Sequence, residues 1–231
     1  MPPERITPSV AARVVGSESL STVVRRLVVQ VAARYHWRAG QHVAVRRQPS
    51  QGPDSYYSFA SADKYDNPTL FELAVGQGPA TIGELALGDE VYLGPAQGPA
   101  LLDLFAAPQP LILVGMGTGV APLRAVIQES VANQELRRMT LLHGCRSEED
   151  RLFQEEFAEL AERGVLDYRP VLSRGSADWT GLRGRIQAHL TPLVSDESCF
   201  MICGSKAMVD DVTTELLAAG TPRAHIHGEG Y

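Results

Sequence analysis

The chain has 231 residues, of which 44% are apolar and 21% charged, and a formal net charge of −6. That length holds one large domain or two of roughly 100 to 120 residues, each able to bury a core. The mildly acidic balance argues against a nucleic-acid partner. No stretch reaches the roughly 18 apolar residues of a membrane span, and the opening MPPERITPSV has no apolar leader region. Cys145, Cys199 and Cys203 are too few and too scattered for a disulfide framework or a four-cysteine cluster. The expectation is a cytoplasmic protein.

Residues 1–105 read as β-rich. Short apolar, β-branched runs fall at Val14-Val15, Thr22 to Val31, Val43 to Val45, Tyr56 to Ala60, Leu70 to Val75 and Val91 to Leu93. Turn signals separate them at Ala39-Gly40-Gln41, Pro49 to Asp54, Asp66-Asn67-Pro68 and Gly88-Asp89. About six strands at this spacing predict a small antiparallel barrel. Thr81 to Leu87 reads as its one helical piece, with Thr81 and Glu84 spaced as a capping box. Arg25, Arg26, Arg34, Arg38, Arg46 and Arg47 crowd into 23 positions of this half. They form a solvated surface, or a face for an acidic partner or for phosphates.

The Pro/Gly-rich Gly94 to Pro99, and then Leu101 to Pro110, read as a junction. Residues 106–231 alternate strand with helix: Leu111–Val114 with Val120–Val131, Met139–His143 with Glu148–Arg163, and Asp167–Leu172 with Leu182–Leu190. Phe200–Cys203 with Lys206–Ala219 follows, and His225–His227 closes the series. Such alternation predicts an α/β domain with a parallel sheet. This half carries −5 of the charge, and the barrel half is near neutral.

Pro110 to Leu123, PLILVGMGTGVAPL, is the stretch on which the chain turns. Leu111 to Val114 suits a strand buried on both faces. Gly115, Gly117 and Gly119 let the backbone approach another backbone or a phosphate, and Pro122 suits the first turn of the helix that follows. The third glycine of a G-x-G-x-x-G fingerprint would fall on Val120. Alone, the stretch is equally a pyrophosphate cradle or a plain strand-to-helix turn.

In order along the chain stand Ala39-Gly40-Gln41, Tyr57-Ser58-Phe59-Ala60-Ser61, Gly78 to Thr81, and Gly88-Asp89 through Gly94-Pro95. After them come Gly115-x-Gly-Thr-Gly-x-Ala-Pro122, Ser173-Arg174, Cys203-Gly204-x-x-x-Met208 and the closing Glu229-Gly230-Tyr231. Through these motifs the chain resembles the ferredoxin–NADP reductase superfamily, plant-type members without an iron–sulfur domain. The resemblance spans nearly the whole sequence. It implies FAD (less readily FMN) in the barrel and NADP(H) or NAD(H) in the α/β domain, with hydride passing between their rings.

The resemblance assigns roles residue by residue. Tyr57 stacks on the flavin, Ser58 bonds its N5, and Phe59, Ala74 and Val75 line it. Gly78, Ala80 and Thr81 face its pyrophosphate. Gly117, Thr118, Gly119 and Pro122 hold the nicotinamide nucleotide, and Ser173 and Arg174 hold its 2′-phosphate. Asp178-Trp179-Thr180-Gly181 is similar instead to NADH-using members. Cys203, with Gly204 and Met208, shapes the pocket at the nicotinamide ring, where Cys203 positions rather than attacks. Glu229 assists proton transfer, and Tyr231 covers the flavin and moves aside for nicotinamide. One position departs from the family: Ser55 stands where an Arg clamps the flavin phosphates. That loss costs about 1.5–3 kcal/mol of cofactor affinity unless Arg46 or Arg47 replaces it.

The six histidines, His36, His42, His143, His189, His225 and His227, make no metal signature. The expected activity is an NAD(P)H-dependent flavoprotein reductase that passes electrons to a separate carrier such as ferredoxin or flavodoxin, or within a larger redox complex. A reductase of free flavin or a small oxidant, and a non-catalytic module that has lost flavin, are the alternatives.

Overall fold

The computed structural model describes residues 9–48, 55–63, 69–77, 82–105, 108–135 and 137–231. Six antiparallel strands come first: β1 (Val10–Ser19), β2 (Val24–Val31), β3 (His42–Arg46), β4 (Ser55–Ser58), β5 (Leu70–Gly76) and β6 (Glu90–Gln97). They lie in the order β4-β3-β6-β1-β2-β5. A bridge between Phe59 and Leu73 joins the two edge strands, so the sheet closes into a barrel. Closure removes the open edges that a six-stranded sheet would otherwise expose. Its interior is aromatic. The Trp37 ring stacks on Phe59 at 5.2 Å, and Phe71 meets Phe59 edge-on at 5.1 Å.

The second half is a parallel sheet with helices. Its strands are β7 (Leu111–Met116), β8 (Met139–Cys145), β9 (Asp167–Leu172), β10 (Leu182–Arg183), β11 (Cys199–Gly204) and β12 (Ile226–Gly230). The order is β10-β9-β8-β7-β11-β12. The chain therefore steps outward from β7 to β10, then returns to the other side of β7. That reversal opens a crevice at the carboxyl ends of β7 and β11, where open α/β sheets bind ligands. Leu111 to Val114 are buried on both faces, as a central parallel strand requires.

Helices α1 (Val120–Ala132), α2 (Gln154–Glu162) and α3 (Lys206–Ala218) complete this half. Ser205 caps α3 by accepting a hydrogen bond from the Met208 amide. α1 is buried on nearly every side, because the sheet lies against one face and the barrel against another. One apolar cluster runs across the seam, joining Val24, Ala60, Ala74 and Leu101 of the first half to Leu113, Leu123 and Ile127 of the second.

Three expected helices differ. Leu182 to Leu190 is a two-residue strand followed by a single 3-10 turn, Ile186–His189. There the Arg183 guanidinium binds the carbonyls of Gly175, Ser176, Ala177 and Trp179, holding the segment extended against β9. Glu148 to Arg163 divides into a 3-10 turn, Glu148–Asp150, and α2. Phe153 stands between them at φ 56, in the left-handed region that ends a helix. The barrel's helical piece is a 3-10 turn, Ile82–Glu84, and its expected cap Thr81 lies outside the described residues.

Candidate functional site

β7 runs into the glycines without a break. Gly117 adopts φ 57, a conformation that costs other residues energy, and a 3-10 turn (Gly117–Gly119) feeds directly into α1. Gly119 has ordinary helical angles, yet it leaves no room for a side chain. A Cβ there would sit 2.3 Å from the backbone oxygen of Cys203. The turn thus lies directly on the end of β11, and Pro122 is buried in the first turn of α1.

Register brings the carboxyl-terminal residues to the same place. Cys203 pairs with Gly115 on one side and with Glu229 on the other. The Cys203 thiol is 1% exposed, and burial, reinforced by the Glu229 carboxylate, pushes its pKa well up. A thiol held protonated is not a nucleophile. Glu229 is half-buried, and one of its oxygens lies 3.3 Å from Nε2 of His227. Gly204 lies under Met208: a Cβ on Gly204 would meet the Met208 methyl at 2.6 Å.

Tyr231 folds back onto the glycine turn. Its phenol accepts a hydrogen bond from the Thr118 hydroxyl at 3.0 Å and donates to the Met116 carbonyl at 3.2 Å. Its amide is fixed by the Gly204 carbonyl at 3.1 Å. The ring itself is 69% exposed. Two hydrogen bonds and little burial make it a removable cover for the turn.

A cleft of about 560 Å³ opens beside this turn. Met116, Gly117, Arg146, Ser173, Arg185 and Met208 contribute to its wall, and Val23 and Val24 reach it from the barrel. Arg174 is exposed next to Ser173, and its amide binds the Arg146 carbonyl at 2.7 Å. In the segment 178–181, the Trp179 indole donates to the Leu182 carbonyl at 3.0 Å.

On the barrel, Tyr57 and Ser58 are half-buried on β4, and the Tyr57 hydroxyl accepts from the Ile82 amide at 3.3 Å. The Ser58 hydroxyl has no hydrogen-bond partner among the described residues. The Phe59 side chain is 0% exposed and belongs wholly to the aromatic core, which leaves only its backbone to face a ligand. Ala74 and Val75 are buried on β5. Gly78, Ala80 and Thr81 lie outside the described residues. Ser55 pairs with Val45, so Arg46 follows one residue beyond it on the neighbouring strand.

The arginine cluster is not one open face. Arg25 donates to the Gly83 carbonyl at 2.7 Å and also binds Ser17, Arg26 pairs with Glu18 and Glu72, and Arg38 pairs with Asp103 and Glu129. At least these three are therefore tied to partners within the chain.

Residues 113–214 match the family described as the oxidoreductase NAD-binding domain. Ferredoxin–NADP reductase B of Sorangium cellulosum (strain So ce56) is 33% identical over 240 residues, covering 95% of this chain and 96% of that one. The chain belongs to the ferredoxin–NADP reductase family. It is an NAD(P)H-dependent flavin oxidoreductase, working with FAD and a nicotinamide nucleotide.

The reductase superposes with a TM-score of 0.84 on the Amycolatopsis cytochrome P450 reductase GcoB, 28% identical, over 96% of this chain and 69% of that one. A Neisseria gonorrhoeae ferredoxin NADP+ reductase with bound FAD and NADP shares the fold at a TM-score of 0.83 and 22% identity, over 97% of this chain and 99% of that one. Flavohemoprotein A of Dictyostelium discoideum is 24% identical over 143 residues, covering 62% of this chain and 35% of that one.

The donor set fits both groups. Two guanidinium groups in the cleft wall, Arg146 and Arg185, have no side-chain partner among the described residues, as a polyanionic nucleotide requires. On the barrel, the Ser58 hydroxyl, without a partner among the described residues, is of a chemistry that suits a flavin ring nitrogen.

Sequence reasoning missed Arg124, Arg146 and Arg185. Arg124 had a signal: a single cation inside the apolar run VAPLRAVI needs a buried partner. It is 4% exposed and binds Glu72, Glu156 and the Ala60 carbonyl. Among the described residues no helix is long and apolar enough to cross a membrane, and no group of three or more His, Cys, Asp or Glu is placed to hold a metal.

Proposed function

We propose that this reductase takes electrons from NADPH and delivers them to a separate carrier protein of the ferredoxin or flavodoxin kind. Residues 1–105 act as the flavin domain and residues 106–231 as the nucleotide domain. FAD, when bound, supplies the chemistry that converts a two-electron hydride into single electrons. Everything else is the work of the chain.

The observation that carries this reading is the Tyr231 phenol seated on the Gly117-Thr118-Gly119 turn beside Cys203 and Glu229. A cover held by two hydrogen bonds and left two-thirds exposed can swing away, vacating the turn for a nicotinamide ribose and pyrophosphate. The groups it releases, the Thr118 hydroxyl and the Met116 carbonyl, then become ligand contacts. Cys203, protonated and buried, gives the nicotinamide ring a wall without attacking it. Glu229, paired with His227, is placed to hold or move a proton at its carboxylate.

In the cleft wall Ser173 and Arg146, with Arg174 next along the chain, favour the 2′-phosphate of NADPH over the bare ribose of NADH. On the barrel, Tyr57 stacks on the flavin and the Ser58 hydroxyl bonds its N5, while the backbone of Phe59, Ala74 and Val75 lines it. Gly78, Ala80 and Thr81 bind its phosphates. Arg46, one residue past the partner of Ser55, takes the part of the missing arginine.

The test compares NADPH-driven reduction of cytochrome c with and without added ferredoxin or flavodoxin. A rate that rises with the carrier and saturates supports the reading. A rate indifferent to carrier, with fast direct reduction of dyes or free flavin, assigns the enzyme to small oxidants instead.

A further inference from the structure

We propose that Arg124 is a positioning residue: it holds the flavin-bearing strands and the nucleotide-binding turn at the separation hydride transfer needs. The inference rests on the two-cofactor reading above and concerns a side chain outside both binding sets. Arg124 lies on α1, five residues past Gly119, about one and a half helical turns from the glycine cradle. Its Nη1 donates to Glu72 Oε2 at 2.6 Å and to the Ala60 carbonyl at 2.7 Å, and its Nε donates to Glu156 Oε2 at 2.6 Å. The Phe153 ring lies under the guanidinium, 4.5 Å from Cζ to centroid.

Both barrel partners adjoin the flavin set. Glu72 is two residues before Ala74 on β5, and Ala60 is two residues past Ser58. These segments are also tied to each other, because the Ala60 amide donates to the Glu72 carbonyl at 2.7 Å and the Glu72 amide donates to the Ser61 hydroxyl at 3.0 Å. One guanidinium therefore reaches both flavin-lining segments from the helix that begins at the nucleotide turn. Gln128, one turn further along α1, repeats the arrangement. It accepts from the Ala62 amide at 3.1 Å and donates to Glu156 at 2.8 Å.

Stability alone does not account for this choice of residue. A buried ionic cluster is often no better for stability than apolar packing of the same volume, and its best-attested use is to fix register. Apolar faces slide with little penalty, whereas a planar fork among three fixed oxygens has one geometry. Reacting atoms must come within about 3–3.5 Å, and a misplacement of about 1 Å costs roughly a hundredfold in rate.

The experiment uses the flavin-loaded full chain with Arg124→Lys, which keeps the charge and loses the fork, and Glu72→Gln, which keeps the shape and loses the charge. Rapid mixing with NADPH is expected to show flavin reduction slowed by about a hundredfold. The nicotinamide–flavin charge-transfer absorbance should weaken, while the dissociation constant for NADP+ and the flavin content stay as in the wild type. Amide exchange at Ala60 and Ala62 should quicken in both variants, a readout independent of turnover. Wild-type reduction rate and charge-transfer absorbance in a folded, loaded variant would overturn the proposal, as would loss of flavin from a folded one. If Arg124→Lys does not fold, Glu72→Gln decides alone. A wild-type protein that NADPH does not reduce would defeat the underlying reading; a reducible wild type with unaltered variants would defeat only this inference.

Discussion

Helix α1 meets the rest of the molecule twice, and the two meetings are built differently. At its start, the glycine turn lies against β11 with no room for a side chain at Gly119, next to the Cys203 carbonyl, and the Tyr231 phenol rests on Thr118. Along its body, Arg124, Gln128 and Glu129 reach to Ala39, Ala60, Ala62, Glu72 and Glu156 through charged and polar side chains. The first region is open and lightly covered, fit for a ligand that comes and goes. The second is buried and densely bonded, fit for holding two bodies still. The contrast teaches that the geometry of the turn is set locally, while the two halves of the chain are held together along the seam.

Breaking the open region has the largest expected effect. Gly119→Ala places a methyl group 2.3 Å from a backbone oxygen that cannot yield, so the turn must lift away from β11. We expect kcat/KM for NADPH to fall by about a hundredfold or more, with flavin content unchanged. An unaltered kcat/KM would mean that the turn does not carry the nucleotide. The reverse change sharpens the comparison. Tyr231→Ala removes two hydrogen bonds worth about 0.5–1.5 kcal/mol each that compete with the nucleotide. NADP+ should bind about tenfold more tightly, as read by titration of the flavin spectrum, and an unchanged dissociation constant would deprive Tyr231 of its covering role.

Arg174→Ala probes the proposed 2′-phosphate contact beside Ser173. Because Arg174 is exposed, we expect a loss of no more than about tenfold for NADPH, at the lower end for a charged hydrogen bond, with little loss for NADH. Equal loss for both nucleotides would defeat the 2′-phosphate assignment.

At neutral pH the smallest effect is the one that falls on stability rather than activity. His143 is fully buried on β8, with Nδ1 3.2 Å from the Tyr168 hydroxyl, and burial lowers its pKa from 6.5 to about 3. The unfolded chain therefore binds a proton between those values that the folded chain refuses, so stability falls as pH drops from 6.5 towards 3. Denaturant titrations across that range should show the slope, and His143→Phe should flatten it. The same slope in the variant would assign the acid sensitivity elsewhere.

How legible each region was follows from the same contrast. Leu111 to Val114, the glycines and Pro122 announce themselves within 14 positions, because an apolar run, glycine and proline each act on their own neighbourhood. The six barrel strands were legible for the same reason. The apolar run around Arg124 signals only that it needs a buried partner; which partners, Ala60 and Glu72, 64 and 52 positions away, is settled by the fold alone. The false helix at Leu182 to Leu190 has a similar origin, since its apolar spacing is overruled by the Arg183 guanidinium gripping four carbonyls of the preceding loop. Phe153 broke another predicted helix, and its ring lies beneath Arg124, so that break too belongs to the seam. The barrel arginines left two readings open, because counting charges does not reveal which are paired within the chain.

The most direct measurement is the visible spectrum of the purified protein, recorded without oxygen before and after NADPH is added. The account predicts a flavin band that bleaches on addition and returns when an electron acceptor is supplied. A colourless protein, or a flavin band that NADPH leaves unchanged, would contradict it.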